Sequence, residues 1–360
     1  MKNKIAFILC FASVILSGCS EKIEGLPDNS EDIHITETNA PELLISETEA
    51  EVLIDAEIDV PDGFTYILPT PQVRLKAFDS SEIVQILGMD TVGITPKQSE
   101  IEMYGSKYDN TIYFDGNNDL ISSYMIFYQS EEGQIYPYLF QKELFTEKKD
   151  LKFADEVTAR QNIADTLDDL GLEGYIFQKT YYMDYEKLRA AEQEKEKDKY
   201  FEEDLKAGRI PYRGNWNEND GCYVFDICFT KNQIPVQSND YLIEDTFFMV
   251  GNSVRVYYSK EGIIEFELSA YYECIDEGEQ IEILKPEKIQ EAVEKKFHSA
   301  IISDKITVTK MNLEYQPKRI KEDGSHMVLW PAWAVSFTQG NSHEENVIYF
   351  DAESGKEIIN

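Results

Sequence analysis

The stretch Asn252-Ser-Val-Arg-Val-Tyr-Tyr-Ser-Lys-Glu-Gly-Ile-Ile-Glu-Phe266, NSVRVYYSKEGIIEF, decides the fold. Two runs rich in β-branched and aromatic residues flank a polar turn that contains Gly262, which predicts a β-hairpin. Alternation places Val254, Val256 and Tyr258 on one face and Arg255 and Tyr257 on the other. The same plan recurs at NTIYFDGNNDLIS (Asn110 to Ser122) and at NVIYFDAESGKEII (Asn346 to Ile359).

Helical patterns precede these hairpins. SEIVQILG (Ser81 to Gly88) reads as a short helix stopped by Gly88. ADEVTARQNIADTLDDLGL gathers Val157, Ile163, Ala164, Leu167 and Leu170 on one face, with Asp155 as N-cap and Gly171 beyond the last turn. KPEKIQEAVEKKF places Pro286 in a first turn and Ile289, Val293 and Phe297 in a buried stripe. Helices on one face of antiparallel sheets define an α+β class. The expected organisation is three tandem helix-on-sheet units, at 63–150, 151–280 and 281–360. Residues 186–209, EKLRAAEQEKEKDKYFEEDLKAGR, form a charged helical insertion in the middle unit. The insertion reads as a solvated excursion, with a partner-docking arm as the alternative.

Upstream of these units the composition changes. Ser20 to Asp62 carries 14 acidic residues and one basic residue, Lys22. Such a segment buries too little apolar area to offset the entropy of ordering it, so 19–62 is expected to be a disordered acidic linker. Its end, EVLIDAEIDV, carries a weak strand pattern, and folded structure is expected from near Phe64. Before the linker, Met1-Lys2-Asn3-Lys4 is a basic head, followed by a 12-residue run dominated by apolar residues, IAFILCFASVIL. A bilayer span needs about 20 such residues, so 1–18 reads as a secretory signal peptide. Cys10 leaves with it.

Charge narrows the partners. The chain holds 34 Lys+Arg against 68 Asp+Glu, a net charge of −34, and removal of 1–18 leaves −36. A phosphate backbone would be repelled, which argues against nucleic acid. Hydrophobic residues make up 42%, with 22 Tyr and 19 Phe, enough for substantial cores.

Three resemblances follow from particular residues. Leu16-Ser17-Gly18-Cys19 resembles the lipobox of bacterial lipoproteins. This implies acylation of the Cys19 thiol, cleavage before it, and anchoring at the extracytoplasmic face of the cell membrane, or at an outer membrane if the organism has one. Two or more acyl chains would make that anchoring stable. CYVFDICFTKNQIPVQSN followed by NSVRVYYSKEGIIEFELSAYYE resembles PepSY and related propeptide-type, cystatin-like domains. Asn232-Gln233-Ile234-Pro235-Val236 stands at their turn, with Gln233 where glycine is usual. The C-terminal unit is similar in layout, and its Asp351-Ala352-Glu353-Ser354-Gly355 matches their close. The chain from about 150 to 360 is also similar to the two-lobed extracytoplasmic regulators of bacterial sensor kinases. These likenesses imply a binding or regulatory role towards another envelope protein or peptide, such as restraint of a protease.

Catalytic patterns are missing from the sequence. It has no Gly-x-Ser-x-Gly, His-Glu-x-x-His, Cys-x-x-Cys or phosphate-cradling loop. His34, His298, His326 and His343 are scattered, and Asp115-Gly-Asn-Asn-Asp-Leu120 lacks the distal glutamate of an EF-hand. Neither metal nor cofactor is expected. Cys222 and Cys228 lie too far apart on one strand to bridge. Either could pair with Cys274, or all three are small buried hydrophobes. In LWPAW, Pro331 is expected at a sheet edge, a strand start or a bulge. Trp330 and Trp333 point oppositely, so one enters the core and the other is a candidate partner anchor, with core packing of both as the competing reading. The expected function is a membrane-anchored, non-enzymatic protein- or peptide-binding module. The alternatives are an extracytoplasmic solute-binding lipoprotein and a hydrolase with an unrecognised site. One large cleft between two α/β lobes would favour solute binding, and shallow helix-on-sheet units without converging polar groups a partner-binding module.

Overall fold

Two sheets, each backed by one amphipathic helix, organise the chain. The computed structural model describes residues 52–59, 64–76, 78, 80–87, 101–105, 111–115, 126–130, 132–238, 241–243, 247–249, 251–299, 304–319, 327–342 and 344–358. The signal segment, Cys19, His34, His326, His343 and the turn 116–120 lie outside them.

In chain order the elements begin with β1 (Val52–Asp59), β2 (Ile67–Pro69), β3 (Gln72–Leu75) and α1 (Ser80–Ile86). Then come β4 (Ile101–Gly105), β5 (Thr111–Asp115), β6 (Ile126–Gln129), α2 (Ile135–Leu139) and α3 (Glu156–Asp169). The middle holds β7 (Tyr175–Met183), α4 (Tyr185–Lys195), α5 (Phe201–Lys206), β8 (Cys222–Lys231) and β9 (Ile234–Pro235). It continues through β10 (Tyr241–Ile243), β11 (Phe247–Met249), β12 (Ser253–Ser259), β13 (Gly262–Leu268), β14 (Tyr272–Asp276) and β15 (Gln280–Glu282). The chain closes with α6 (Pro286–Ser299), β16 (Ile306–Arg319), β17 (Met327–Gln339), β18 (Asn346–Asp351) and β19 (Glu357–Ile358).

The opening hairpin is β12–β13, paired from Val254↔Leu268 to Ser259↔Gly262. Gly262, at φ 89°, supplies the left-handed backbone of its tight turn. This hairpin is the middle of an eight-stranded sheet ordered β4-β5-β6-β13-β12-β8-β7, with β9 on β8. Helix α3 covers one face of it, burying Ala159, Ile163 and Leu167 against Phe225, Val256 and Phe266. Its ends follow the sequence signals. Asp155 caps the Thr158 amide at 2.7 Å, and Gly171, at φ 65°, lets Leu172 N–H reach the Leu167 carbonyl at 2.9 Å. Val157, expected in the stripe, is 77% exposed. Six residues separate it from Ile163, which turns it away, whereas Ala159 is one turn back and faces the core.

The seven-stranded sheet runs β1-β16-β17-β18-β19, with β3 pairing β17 and β14 pairing β3. Its helix is α6, whose Ile289, Val293 and Phe297 are buried at the expected spacing against Val308, Leu313 and Val335. The fold is therefore α+β.

Three expectations change. Among the described residues the strands of 63–150 make no helix-on-sheet unit of their own, because β2 pairs only with β15, β3 joins the seven-stranded sheet and β4, β5 and β6 join the eight-stranded one. Each segment is too short to bury a face alone and joins strands from further along the chain instead. The ordered body begins inside the expected linker. There β1 pairs in parallel with β16 from Val52↔Ile306 to Asp59↔Asn312, and Val52, Ile54 and Ala56 pack on the core. The insertion 186–209 is not simply solvated, since α4 buries Leu188, Ala191 and the carboxylate residue Glu192. Glu192 accepts from Arg213 N (2.7 Å), Gly214 N (3.0 Å) and Trp216 Nε1 (2.7 Å), which fastens the following loop to the helix.

Candidate functional site

The second faces of the two sheets build the site. On the eight-stranded sheet, one end of that face is filled by Tyr136, Leu139, Phe145, Leu188 and Trp216. The other end carries Gln178 of β7 and the buried Cys228 of β8, both bordering a cavity. On the seven-stranded sheet, alternation along β16 sends Met311, Leu313 and Tyr315 to the core and Lys310, Asn312, Glu314 and Gln316 to the second face. The two half-faces border a cleft of about 450 Å³, lined by Ile176, Gln178, Cys228, Pro235, Asn312 and Glu314 among others. A contiguous hollow of about 290 Å³ shares Gln178 and Ser238 and carries the Arg255–Asp226 ion pair, at 2.7 Å.

The turn between β8 and β9 joins the two sheets. Asn232 and Gln233 occupy left-handed conformations, at φ 52° and 66°, and close a two-residue hairpin between Lys231 and Ile234. That turn delivers Val236 to a parallel bridge with Tyr315, and Gln237 N–H to the Tyr315 carbonyl at 2.8 Å.

At the floor of the patch, Ala332 and Ala334 of β17 lie between Glu314 of β16 and Tyr349 of β18. Methyl side chains on the central strand leave room for the flanking side chains to meet above them. The Tyr349 hydroxyl bonds the Glu314 carboxylate, and Gln237 Nε2 donates to that hydroxyl at 3.5 Å. Glu314 Oε1 is shielded from solvent and has no hydrogen-bond partner among the described residues. Burial pushes the Glu314 carboxyl up to about 7, against the opposing pull of the Tyr349 bond. Burial also pushes the neighbouring Cys228 thiol up to about 11, so it stays protonated near neutrality.

A cavity of about 470 Å³ on another side holds Tyr271, Glu273, Cys274 and Lys231. Two of its charges are paired, Lys231 with Glu277 at 2.9 Å and Glu273 with Arg74 at 2.7 Å.

The residues singled out in the sequence fall elsewhere. Cys222, Cys228 and Cys274 are free thiols. The first two belong to β8 of one sheet and the third to β14 of the other, so no neighbouring strand brings Cys274 to them. Trp333 is fully buried and donates to the Leu284 carbonyl at 3.0 Å. Trp330 is half-buried. Its Nε1 donates to Asp351 Oδ2 at 2.8 Å, and Lys318 Nζ lies 4.8 Å from its ring centre. Pro331 is not on an edge strand, because β17 has neighbours on both sides. It faces the gap where that flank changes partner from β3, at Met327 and Val328, to β18, from Ala332 onward. A missing N–H costs little there. His298 is exposed, its Nδ1 2.6 Å from the Glu294 carbonyl. Among the described residues no group of three or more His, Cys, Asp or Glu is placed to hold a metal ion, and no helix is long and apolar enough to cross a membrane.

Glu314, Asn312, Gln237 and Tyr349 went unnoticed in the sequence. KMNLEYQPK alternates as any half-exposed strand does, and nothing local reveals that its polar face is covered.

No protein family matches the sequence, and no curated protein matches it. Among solved structures, the chain is similar to an uncharacterised protein from Eubacterium rectale. The TM-score is 0.62 at 18% identity, over 86% of this chain and 91% of that one. The two share a fold. The chain also aligns with the C-terminal domain of YpeB from Bacillus megaterium, over 78% of this chain and 96% of that domain. There the TM-score is 0.29 at 10% identity, a likeness too slight to define a common fold.

Proposed function

We propose that this chain is a lipoprotein, held at the extracytoplasmic face of a bacterial membrane through acylated Cys19, whose PepSY-like α+β body binds a peptide or protein without catalysis. The strand edge beside the cleft carries this reading. The cleft's thiol, Cys228, is kept neutral by burial, and the polar groups that converge there weigh for the solute-binding alternative, so the peptide reading stands on the strand edge. Strand β7 ends its sheet and places Ile176 and Gln178 at the cleft. An extended peptide can therefore lie along a strand edge and put one end among the polar groups. A volume of about 450 Å³ is also in the range of small-ligand sites, which favours a solute-binding lipoprotein as the second reading.

The test is extraction of the full chain from its own membrane in mild detergent, followed by mass spectrometry. The expected result is an acylated Cys19 as first residue and a stoichiometric peptide or protein partner. A tightly held small solute without a partner would replace the leading reading with the second. An unmodified first residue would remove the anchor.

A further inference from the structure

Four charged residues line the hollow of about 290 Å³ beside the cleft: Lys142, Arg255, Asp226 and Glu267. Its two acids are already matched. Asp226 accepts from Arg255 Nε at 2.7 Å and from the Tyr181 hydroxyl, and Glu267 has a partner of its own. Its donors are not matched. The Nε bond is the one hydrogen bond of the Arg255 guanidinium among the described residues, which leaves the four N–H of its Nη groups without an acceptor there. The Phe140 ring, centred 5.7 Å from Cζ, steadies the guanidinium without offering it a lone pair. Lys142, in the turn after α2, makes no ion pair among the described residues, and the hydroxyls of Ser253 and Ser269 bond no described group. None of these donors is sealed from the hollow, since 33% of the Arg255 side chain is exposed, Lys142 is exposed and both serines are half-buried.

Resting on the peptide-binding role above, we propose that this hollow seats a carboxylate, as at the carboxyl terminus of a peptide on the β7 edge, between the Arg255 Nη groups and Lys142 Nζ. The open donors of a planar guanidinium match the two oxygens of a carboxylate, and the serine hydroxyls supply further donors. Charge selects among anions. The four charged residues of the hollow balance to zero, so a carboxylate adds a single negative charge, whereas a phosphate dianion would put twice that beside Asp226 and Glu267. The strand edge leads there. Gln178 sits at the irregularity of β7 where Phe177↔Ile227 gives way to Lys179↔Asp226, and it lines both the cleft and the hollow. A peptide lying along Ile176 and Gln178 therefore runs into the hollow, and capture of a chain end in this way is a known mode of peptide recognition.

A peptide carboxyl terminus, an acidic side chain and a free carboxylic acid share this chemistry, so the experiment separates them. The full chain in detergent is titrated calorimetrically with N-acetyl-trialanine, its C-terminal amide, glutarate and inorganic phosphate. The expected outcome is saturable binding of N-acetyl-trialanine, at least tenfold weaker once amidated. Lys142→Ala, at an exposed position that leaves the fold intact, should weaken the free-acid peptide at least threefold and the amide not at all. Arg255→Gln should weaken the free acid at least tenfold; if circular dichroism shows that variant unfolded, the Lys142→Ala comparison decides alone. Glutarate binding more tightly than the peptide would support the carboxylate site and assign it to free acids or acidic side chains. Equal binding of the amide, or native affinity in Lys142→Ala, would sink the carboxylate proposal yet leave the peptide role. Phosphate binding more tightly than either acid, or no saturable binding by any probe, would overturn it as well. A partner recovered in the membrane extraction would still uphold the binding role in those cases.

Discussion

Glu314 and Glu265 are buried carboxylates in different sheets, both pushed up to about 7 by burial. Glu265, on β13, is 4% exposed and accepts from Gln129. An unfolded glutamate titrates near ~4.3, so between that pH and about 7 the folded chain holds protons that the unfolded chain has released. Stability is therefore fullest below ~4.3 and falls as pH rises towards 7, by up to about 4 kcal/mol per group. The double variant Glu265→Gln/Glu314→Gln keeps the neutral shape at every pH. It should melt higher than the native chain at pH 8 and alongside it at pH 4; equal melting at pH 8 would refute the burial argument. At Gln233 the residue scale shows a different cost. A side chain held at φ 66° carries about 1–2 kcal/mol of backbone strain, and glycine would relieve it at the expense of a freer unfolded chain. Gln233→Gly is expected to gain about 1 kcal/mol in urea unfolding.

Among the elements, the α4 insertion shows how a charged helix can be structural. Glu192 is 2% exposed and gathers two backbone amides and an indole. Arg213 and Lys260 meet at another buried carboxylate, Asp220, at 2.6 and 3.5 Å. Glu192→Ala would leave three donors unmatched and should cost about 3 kcal/mol or more, read by denaturant midpoint. Hydrogen exchange at Arg213 and Gly214 should quicken while that of α3 holds. Unchanged exchange at those amides would mean that the loop stands without its helix. The β8–β9 turn is the other decisive element, because through Val236 and Gln237 it fixes β16 against the eight-stranded sheet.

For the molecule as a whole, residues Glu47–Asn360 cluster as one unit, and β1 is the part of that unit nearest the chain start. It closes one edge of the seven-stranded sheet and covers the core with Val52, Ile54 and Ala56. A chain starting at Gly63 would bare the β16 edge and lose that apolar cover. It should unfold several degrees below a chain starting at Glu47, by about 3 kcal/mol, and should associate at high concentration. Matching melting curves for the two chains would show β1 to be dispensable.

The sequence by itself determined the local elements. Hairpin β12–β13, the caps of α3 and the stripe of α6 rest on spacing, turn glycines and capping residues, all of which act within a few positions. The acidic balance was equally legible, because charge adds without regard to fold. Tertiary structure decided how the strands were shared between the two sheets, since pairing β3 with β14, or β1 with β16, depends on partners far away in the chain. It also decided the site. Glu314, Asn312 and Gln237 read as ordinary polar positions until two sheets meet over them, and only that meeting removes the water that would otherwise satisfy them.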